Sequence, residues 1–227
     1  MKFTPSLIVY SVDKSRYEKA PDAEDLAALA KIEALPLPAA MPTNRFPIEN
    51  MYHGSRIAPK GFTHVHHFYL PRAAQAMGVL WAKAQAHPDT RIRAFLTFMV
   101  EQAIWTATLL NRFRPTGFSQ VNQYLTGVYY VASQHAECSP WYILDGKLDR
   151  LAKTFRPFKS TPNVAVTTGT AAKLPLPDDS VDYIFTDPPF GENIYNAALN
   201  FLAGPWPGVT TVATPEPLID TVTTQAP

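Results

Sequence analysis

Residues 178–193 read DDSVDYIFTDPPFGEN, and the fold turns on this stretch. Val181 to Thr186 (VDYIFT) is apolar and β-rich, entered through Asp178, Asp179 and Ser180 and left through Asp187-Pro188-Pro189. That pattern predicts a short strand. Asp187, Pro188, Pro189 and Phe190 then stand at the strand's carboxyl end, where open α/β sheets hold their ligands. Two prolines fix φ and donate no hydrogen bond, so the neighbouring carbonyls are held in place. Phe190 offers a ring face. A bland alternative stands beside this one: Asp-Pro-Pro as an ordinary strand-ending turn, with Phe190 in a core.

Working outward, Asn163 to Thr168 (NVAVTT) is a second short β-rich segment, followed by the small-residue turn of Gly169, Thr170 and Ala171. Two strands, each ending in turn residues, suit a nucleotide-type α/β sheet. Asn193 to Leu202 reads as a helix stopped by Gly204, Pro205 and Pro207. Residues 205–227 read as a Pro/Thr-rich tail with little to bury.

The front of the chain has a different texture. SLIVYSV (6–12) alternates as a strand does. Residues 22–34 begin with Asp22 and an acidic first turn and continue in strong helix formers. Residues 36–63 form a Pro-punctuated linker without a period. Arg72 to Ala86 is expected to be helical up to the His87-Pro88 turn. Asp89 to Phe113 is the strongest helical pattern, with Ile92, Phe95, Leu96, Met99, Ile104, Leu109 and Leu110 at helical spacing. Residues 118–133 suit strand or helix equally, and Tyr142 to Phe155 reads as a basic amphipathic helix. The expected organisation is a mainly helical, basic region over 1–160, a catalytic segment over 161–204 with two strands, and the tail from 205.

Net charge is +1 over 227 residues, but it is unevenly spread. Residues 1–160 hold 19 Lys/Arg against 12 Asp/Glu, and residues 161–227 hold 1 against 7. A basic front suits a polyanion partner, and a set of solvated helix faces explains it as well. Arg72 and the helical row Lys147, Arg150, Lys153, with Arg156 and Lys159 beyond, are candidates for phosphate contact. Tyr129, Tyr130 and Trp141 are candidates for base stacking, although aromatics at this density are more often core. His64, His66 and His67 form an H-x-H-H cluster with no carboxylate nearby in sequence, and no metal site is expected. The single cysteine, Cys138, rules out an internal disulfide, and in ECSPW (137–141) it reads as a small buried residue. No apolar run approaches the roughly 18–20 residues of a membrane span. Residues 1–10 are too short for a secretory h-region. A cytoplasmic location without a membrane partner is the expectation.

The phrases THVHHFYLPR (63–72), QAIW (102–105), NRF (111–113), TTGTAAKLPLPDDSVDYIFTDPPFGENIY (167–195) and LNFL (199–202) together resemble a family of large DNA methylases. The resemblance covers most of residues 5–202. It implies a Rossmann-like α/β methyltransferase sheet, S-adenosylmethionine as donor, and DNA as substrate, methylated at adenine N6 or cytosine N4. Asp187, Pro188, Pro189 and Phe190 match the family's catalytic tetrapeptide one for one. Gly169, Thr170 and Ala171 match the turn beside the cofactor's adenine, with Thr170 where the family often has a carboxylate.

The chemistry of such a site is specific. An exocyclic base nitrogen is a poor nucleophile because its lone pair is delocalised into the ring. Hydrogen bonds from its two N–H groups to the Asp187 carboxylate and to the Asp187 or Pro188 carbonyl would localise the pair, while Phe190 stacks on the flipped base. The chain also departs from the family. It contains no G-x-G among its ten glycines, so the glycine-rich cofactor loop is missing, as are a cysteine-rich insert and the strands that follow the catalytic one. LAGPW (202–206) stands where relatives continue a helix. The expectation is an incomplete member, whose loop a complementary chain would carry. Methylation of an RNA base amino group (guanine N2, for example) and an inactive nucleic-acid-binding remnant remain open alternatives. Cytosine C5 chemistry, which needs a thiolate usually preceded by proline, does not suit Cys138.

Overall fold

The structure, a computed structural model, describes residues 3–48, 57–114, 129, 131–157, 163–167, 173–186 and 196–210, with the side chains of 196–199 left aside. It opens with a hairpin of β1 (Ile8–Val12) and β2 (Ser15–Lys19), antiparallel with Tyr10 opposite Tyr17. Both turn residues, Asp13 and Lys14, have positive φ (56° and 115°), the backbone hand that matches strand twist in a tight hairpin. The tyrosine rings stack at 5.6 Å. Both faces of the hairpin are largely exposed, which explains why SRYEK (15–19) carries no alternation that reads as a strand.

Helix α1 (Ala23–Glu33) starts where the Asp22 cap places it. The Asp22 carboxylate accepts from the Asp25 N–H (2.9 Å) and the Asp25 carboxylate from the Asp22 N–H (3.0 Å), a reciprocal capping box. Lys19 bridges both carboxylates at 2.8 and 2.7 Å. That ammonium, with the Asp25 backbone N–H, holds the Asp22 carboxyl down at about 2. Helix α2 (Pro71–Gln85) begins with proline at N1 and buries Ala73, Ala74, Met77, Gly78, Trp81 and Ala84, one face of a 3.6-residue period. Helix α3 (Thr90–Glu101) is capped by Asp89, whose carboxylate accepts from the N–H groups of Arg91 and Ile92. Helix α4 (Pro140–Phe155) buries Ile143 and Leu144, and α5 (Asn196–Ala203) ends in turns through Gly204.

Three expectations are corrected. The helix expected over 89–113 stops at Glu101. Ala103, Ile104, Ala107, Thr108, Leu109, Leu110 and Asn111 are all buried, more than one helix face can hold, and the backbone runs in tight turns, with tertiary partners at Leu109 and Asn111. Leu109 N–H donates to the Phe68 carbonyl (2.8 Å), and the Asn111 carbonyl accepts from Ala136 N–H (2.8 Å). Residues 36–63 are no linker in their described part: Met41, Phe46, Ile57 and Phe62 enter the core. There Phe46, Phe62, Phe68 and Tyr129 form a ring cluster with centroids 4.9 to 5.5 Å apart. Trp206 is no part of a tail with little to bury. It is 5% exposed and packs against Trp81 and Tyr69.

The expected strands of the catalytic segment have no pairing in the structure. Among the described residues the sheet is the two-stranded hairpin alone, and 163–167 and 181–186 carry no ladder. Val166 is 91% exposed and Phe185 82%. A strand needs neighbours for its N–H and C=O groups and cover for its apolar faces, and the described residues supply neither here.

Candidate functional site

Asp187, Pro188, Pro189 and Phe190 lie outside the described residues, as do Gly169, Thr170 and Ala171. What the structure describes is the ground around them. On the entry side, Asp179 takes a positive φ of 55° and the Ser180 hydroxyl donates to the Pro177 carbonyl at 2.7 Å. This tight turn leads into 181–186. On the exit side, α5 begins six residues after Phe190 and is seated firmly. Leu202 is fully buried, and the Phe201 ring meets Phe46 at 6.3 Å. The Trp206 indole N–H donates to the Tyr69 hydroxyl (3.3 Å), which donates in turn to the Ile104 carbonyl (3.2 Å). Burial pushes the Tyr69 and Tyr129 phenols above their usual range, so both stay neutral donors. The segment after the motif is thus fixed to the helical core by a buried relay that sequence reading missed, because Trp206 sits among prolines.

The expected phosphate contacts divide. The Arg72 guanidinium is engaged by the Glu137 carboxylate at 2.6 Å, which leaves it less free for a phosphate. Lys147 is half-buried on the inner side of α4, whereas Arg150 and Lys153 are exposed. Among the described residues none of the α4 cations makes an ion pair. Of the stacking candidates, Tyr129 is a core ring while Trp141 stands out in solvent. Tyr130 lies outside the described residues.

The three histidines do come together. Ring centroids are 5.6 Å apart for His64 and His66, 5.1 Å for His64 and His67, and 4.3 Å for His66 and His67. The His67 Nδ1 accepts from the Thr63 N–H at 3.3 Å, which leaves the proton of the neutral ring on Nε2. Burial, then the neighbouring imidazoles, push the pKa of His66 and of His67 below the usual range. No group of three or more metal-ligating side chains among the described residues is arranged to hold an ion. Cys138 is half-buried, accepts from the Asn111 amide (3.3 Å), and has its thiol pushed up by burial, an environment that opposes a nucleophilic thiolate.

A second polar knot was not legible in sequence. Arg112 and His135 face each other across an isolated antiparallel bridge, and Arg112 Nε, His135 Nε2 and Glu137 Oε1 are buried without a hydrogen-bond partner among the described residues. A shallow groove of about 770 Å³ runs between α2, α3 and residues 205–208, lined by Trp81, Gln85, Arg93, Thr97 and Trp206. It includes none of the motif residues.

No family model matches the chain, and neither the curated proteins nor the solved structures compared with it provide a match.

Proposed function

We propose that this chain is an S-adenosylmethionine-dependent methyltransferase segment acting on an exocyclic amino group in DNA, adenine N6 or cytosine N4, built on a Rossmann-like sheet. The observation that carries the reading is Asp187-Pro188-Pro189-Phe190 directly after the apolar run VDYIFT. Two features support it. The chain leaving the motif is anchored through Leu202 and Trp206, which suits a loop that must hold a base precursor geometry. The described flank leaves Val164, Val166, Ile184 and Phe185 as uncovered apolar side chains, of the kind that a ligand or partner buries. S-adenosylmethionine, when bound, supplies the methyl group. The Asp187 carboxylate accepts one amino N–H, the Pro188 carbonyl accepts the other, and Phe190 holds the base by stacking.

The same exposure favours a second reading. Uncovered apolar residues at 164–166 and 183–185, with no G-x-G in the chain, suit a partner chain that contributes the glycine-rich loop and further strands. Titration calorimetry of S-adenosylmethionine into the purified chain separates the two. Saturable micromolar binding supports a self-sufficient site. No binding by a folded chain supports the complementary one. In whichever assembly transfers methyl to DNA, Asp187→Ala is expected to lower the transfer rate at least a hundredfold; a rate within threefold of the parent sinks the assignment.

A further inference from the structure

Helix α4 shows a surface that the catalytic reading leaves unused. Trp141 and Tyr142, in its first turn, are 67% and 69% exposed. Neither makes a ring contact, hydrogen bond or ion pair among the described residues. Further along the helix Arg150, Lys153 and Arg156 recur every three residues, all exposed and all without an ion-pair partner among the described residues. Residues spaced by three on a helix lie about 5–6 Å apart, so the cations form a row. From Trp141 to Arg156 the helix rises about 22 Å. Two bare aromatic rings at one end and a row of unpaired cations at the other are the two components of a single-strand nucleic-acid platform; the exposed Asp145 and Asp149 lie between them, which places the phosphates at the cation end.

We propose that the outer face of α4 binds single-stranded nucleic acid, with Trp141 and Tyr142 stacking on unpaired bases and Arg150, Lys153 and Arg156 following the phosphates. The inference rests on nucleic acid being the partner, as read above, and assigns it a strandedness and a place. Bases in an intact duplex are already stacked on each other, so free aromatic faces gain most from bases that are unpaired or flipped. A membrane surface fits less well. Trp141, Asp145, Leu148, Ala152 and Phe155 share one stripe by helical spacing, so seating the apolar side chains in lipid would drag the Asp145 carboxylate into the bilayer. Phe155 is also already engaged with Phe95, at 5.8 Å.

The test is fluorescence anisotropy with a labelled single-stranded 20-mer and the matching duplex, using the full chain. Three exposed cations on single-stranded DNA give a slope of about −2 in log affinity against log salt. Each stacked base lost to alanine weakens binding about 5- to 150-fold. Trp141→Ala/Tyr142→Ala is therefore expected to weaken single-strand binding at least tenfold, with duplex binding changed by less than threefold. Arg150→Gln/Lys153→Gln/Arg156→Gln should flatten the salt slope. Because the side chains are exposed, both variants should keep the parent melting temperature. The oligonucleotide should also quench the parent's tryptophan emission, and Trp141→Phe should remove most of that quenching.

Single-strand affinity unchanged within twofold by the aromatic double variant overturns the proposal. So does binding of phosphatidylserine vesicles, but of neither oligonucleotide, through the same residues. Methyl transfer together with unchanged single-strand affinity in that double variant overturns this inference and leaves the catalytic reading standing. Aromatic-dependent single-strand binding, in an assembly whose methyl transfer is unchanged by Asp187→Ala, does the reverse.

Discussion

Replacing Trp206 by alanine should detach residues 196–210 from the helical core. The side chain is 5% exposed, its ring lies 5.4 Å from Trp81 and 5.9 Å from Tyr69, and its N–H donates to the Tyr69 hydroxyl. Removing a buried aromatic costs about 3–5 kcal/mol. The Tyr69 hydroxyl keeps its bond to the Ile104 carbonyl, so no buried donor is orphaned and the loss should sit in the lower half of that range. For a chain of this size about 3 kcal/mol lowers the melting temperature by on the order of 10 °C. Trp206→Phe keeps most of the ring and loses only the N–H bond, which contributes about 1 kcal/mol. The assay is urea denaturation of both variants, with hydrogen exchange followed across 196–210. Alanine should speed exchange in α5 well before global unfolding, and phenylalanine should leave it near the parent rate. If Trp206→Ala costs less than about 1 kcal/mol and α5 exchange is unchanged, the relay through Tyr69 is not what holds the segment.

Two further predictions concern the core. His66 and His67 have lowered pKa values in the folded chain, by burial first and by the other imidazoles second. Their neutral forms therefore stabilise the fold fully above the unfolded histidine value of about 6.5, and that contribution is lost as pH falls through the folded values. Melting temperature should drop below pH 6.5, and His66→Asn/His67→Asn should flatten the drop; an equally steep fall in the double variant removes the cluster as its cause. Gly78 and Gly146 form a matched pair. A Cβ at Gly78 would lie 2.6 Å from the Pro38 Cβ, on a segment tied down by the Gln75 amide bond to the Pro36 carbonyl (2.8 Å). Gly78→Ala should therefore destabilise by about 1–2 kcal/mol, overpacking outweighing helix propensity. Gly146 meets nothing within 4 Å, so Gly146→Ala should stabilise by up to about 1 kcal/mol. Equal effects in denaturant titrations would refute the packing argument.

How much was legible follows from where each signal lives. The Asp22 cap and the His87-Pro88 stop are local, and the expected helices over 22–34 and 72–86 fall within a residue or so of the observed bounds of α1 and α2. Asp89 likewise marked the start of α3. Its end was illegible because apolar spacing continues past Glu101, while the backbone there runs in successive tight turns and reaches Phe68 and residues 134–136 at Leu109, Asn111 and Phe113. Phe46 and Phe62 were hidden for the opposite reason. A segment broken by prolines has no period, yet two rings supply as much apolar area as a helix face. Aromatic exposure was the least legible property of all: Trp141 and Trp206 both neighbour prolines in sequence, and one is open while the other is nearly sealed.

That contrast bears on the candidate site. The proposed motif could be read from sequence because the chemistry proposed for it needs four adjacent residues, which a linear reading preserves. Its supports are not adjacent: Tyr69, Ile104, Leu202 and Trp206 are brought together only by folding. The same folding engages Arg72 with Glu137 and leaves Arg150 and Lys153 without an ion-pair partner among the described residues, so equal charges in the sequence become unequal candidates for phosphate. The apolar runs 163–167 and 181–186 show the converse. Their composition asks for burial on both faces, and the described residues leave them open. An apolar strand has only backbone pairing and cover to stabilise it. Whatever covers these two runs would therefore also bear on the proposed site, because 163–167 and 181–186 lead directly into the segments in which its residues lie.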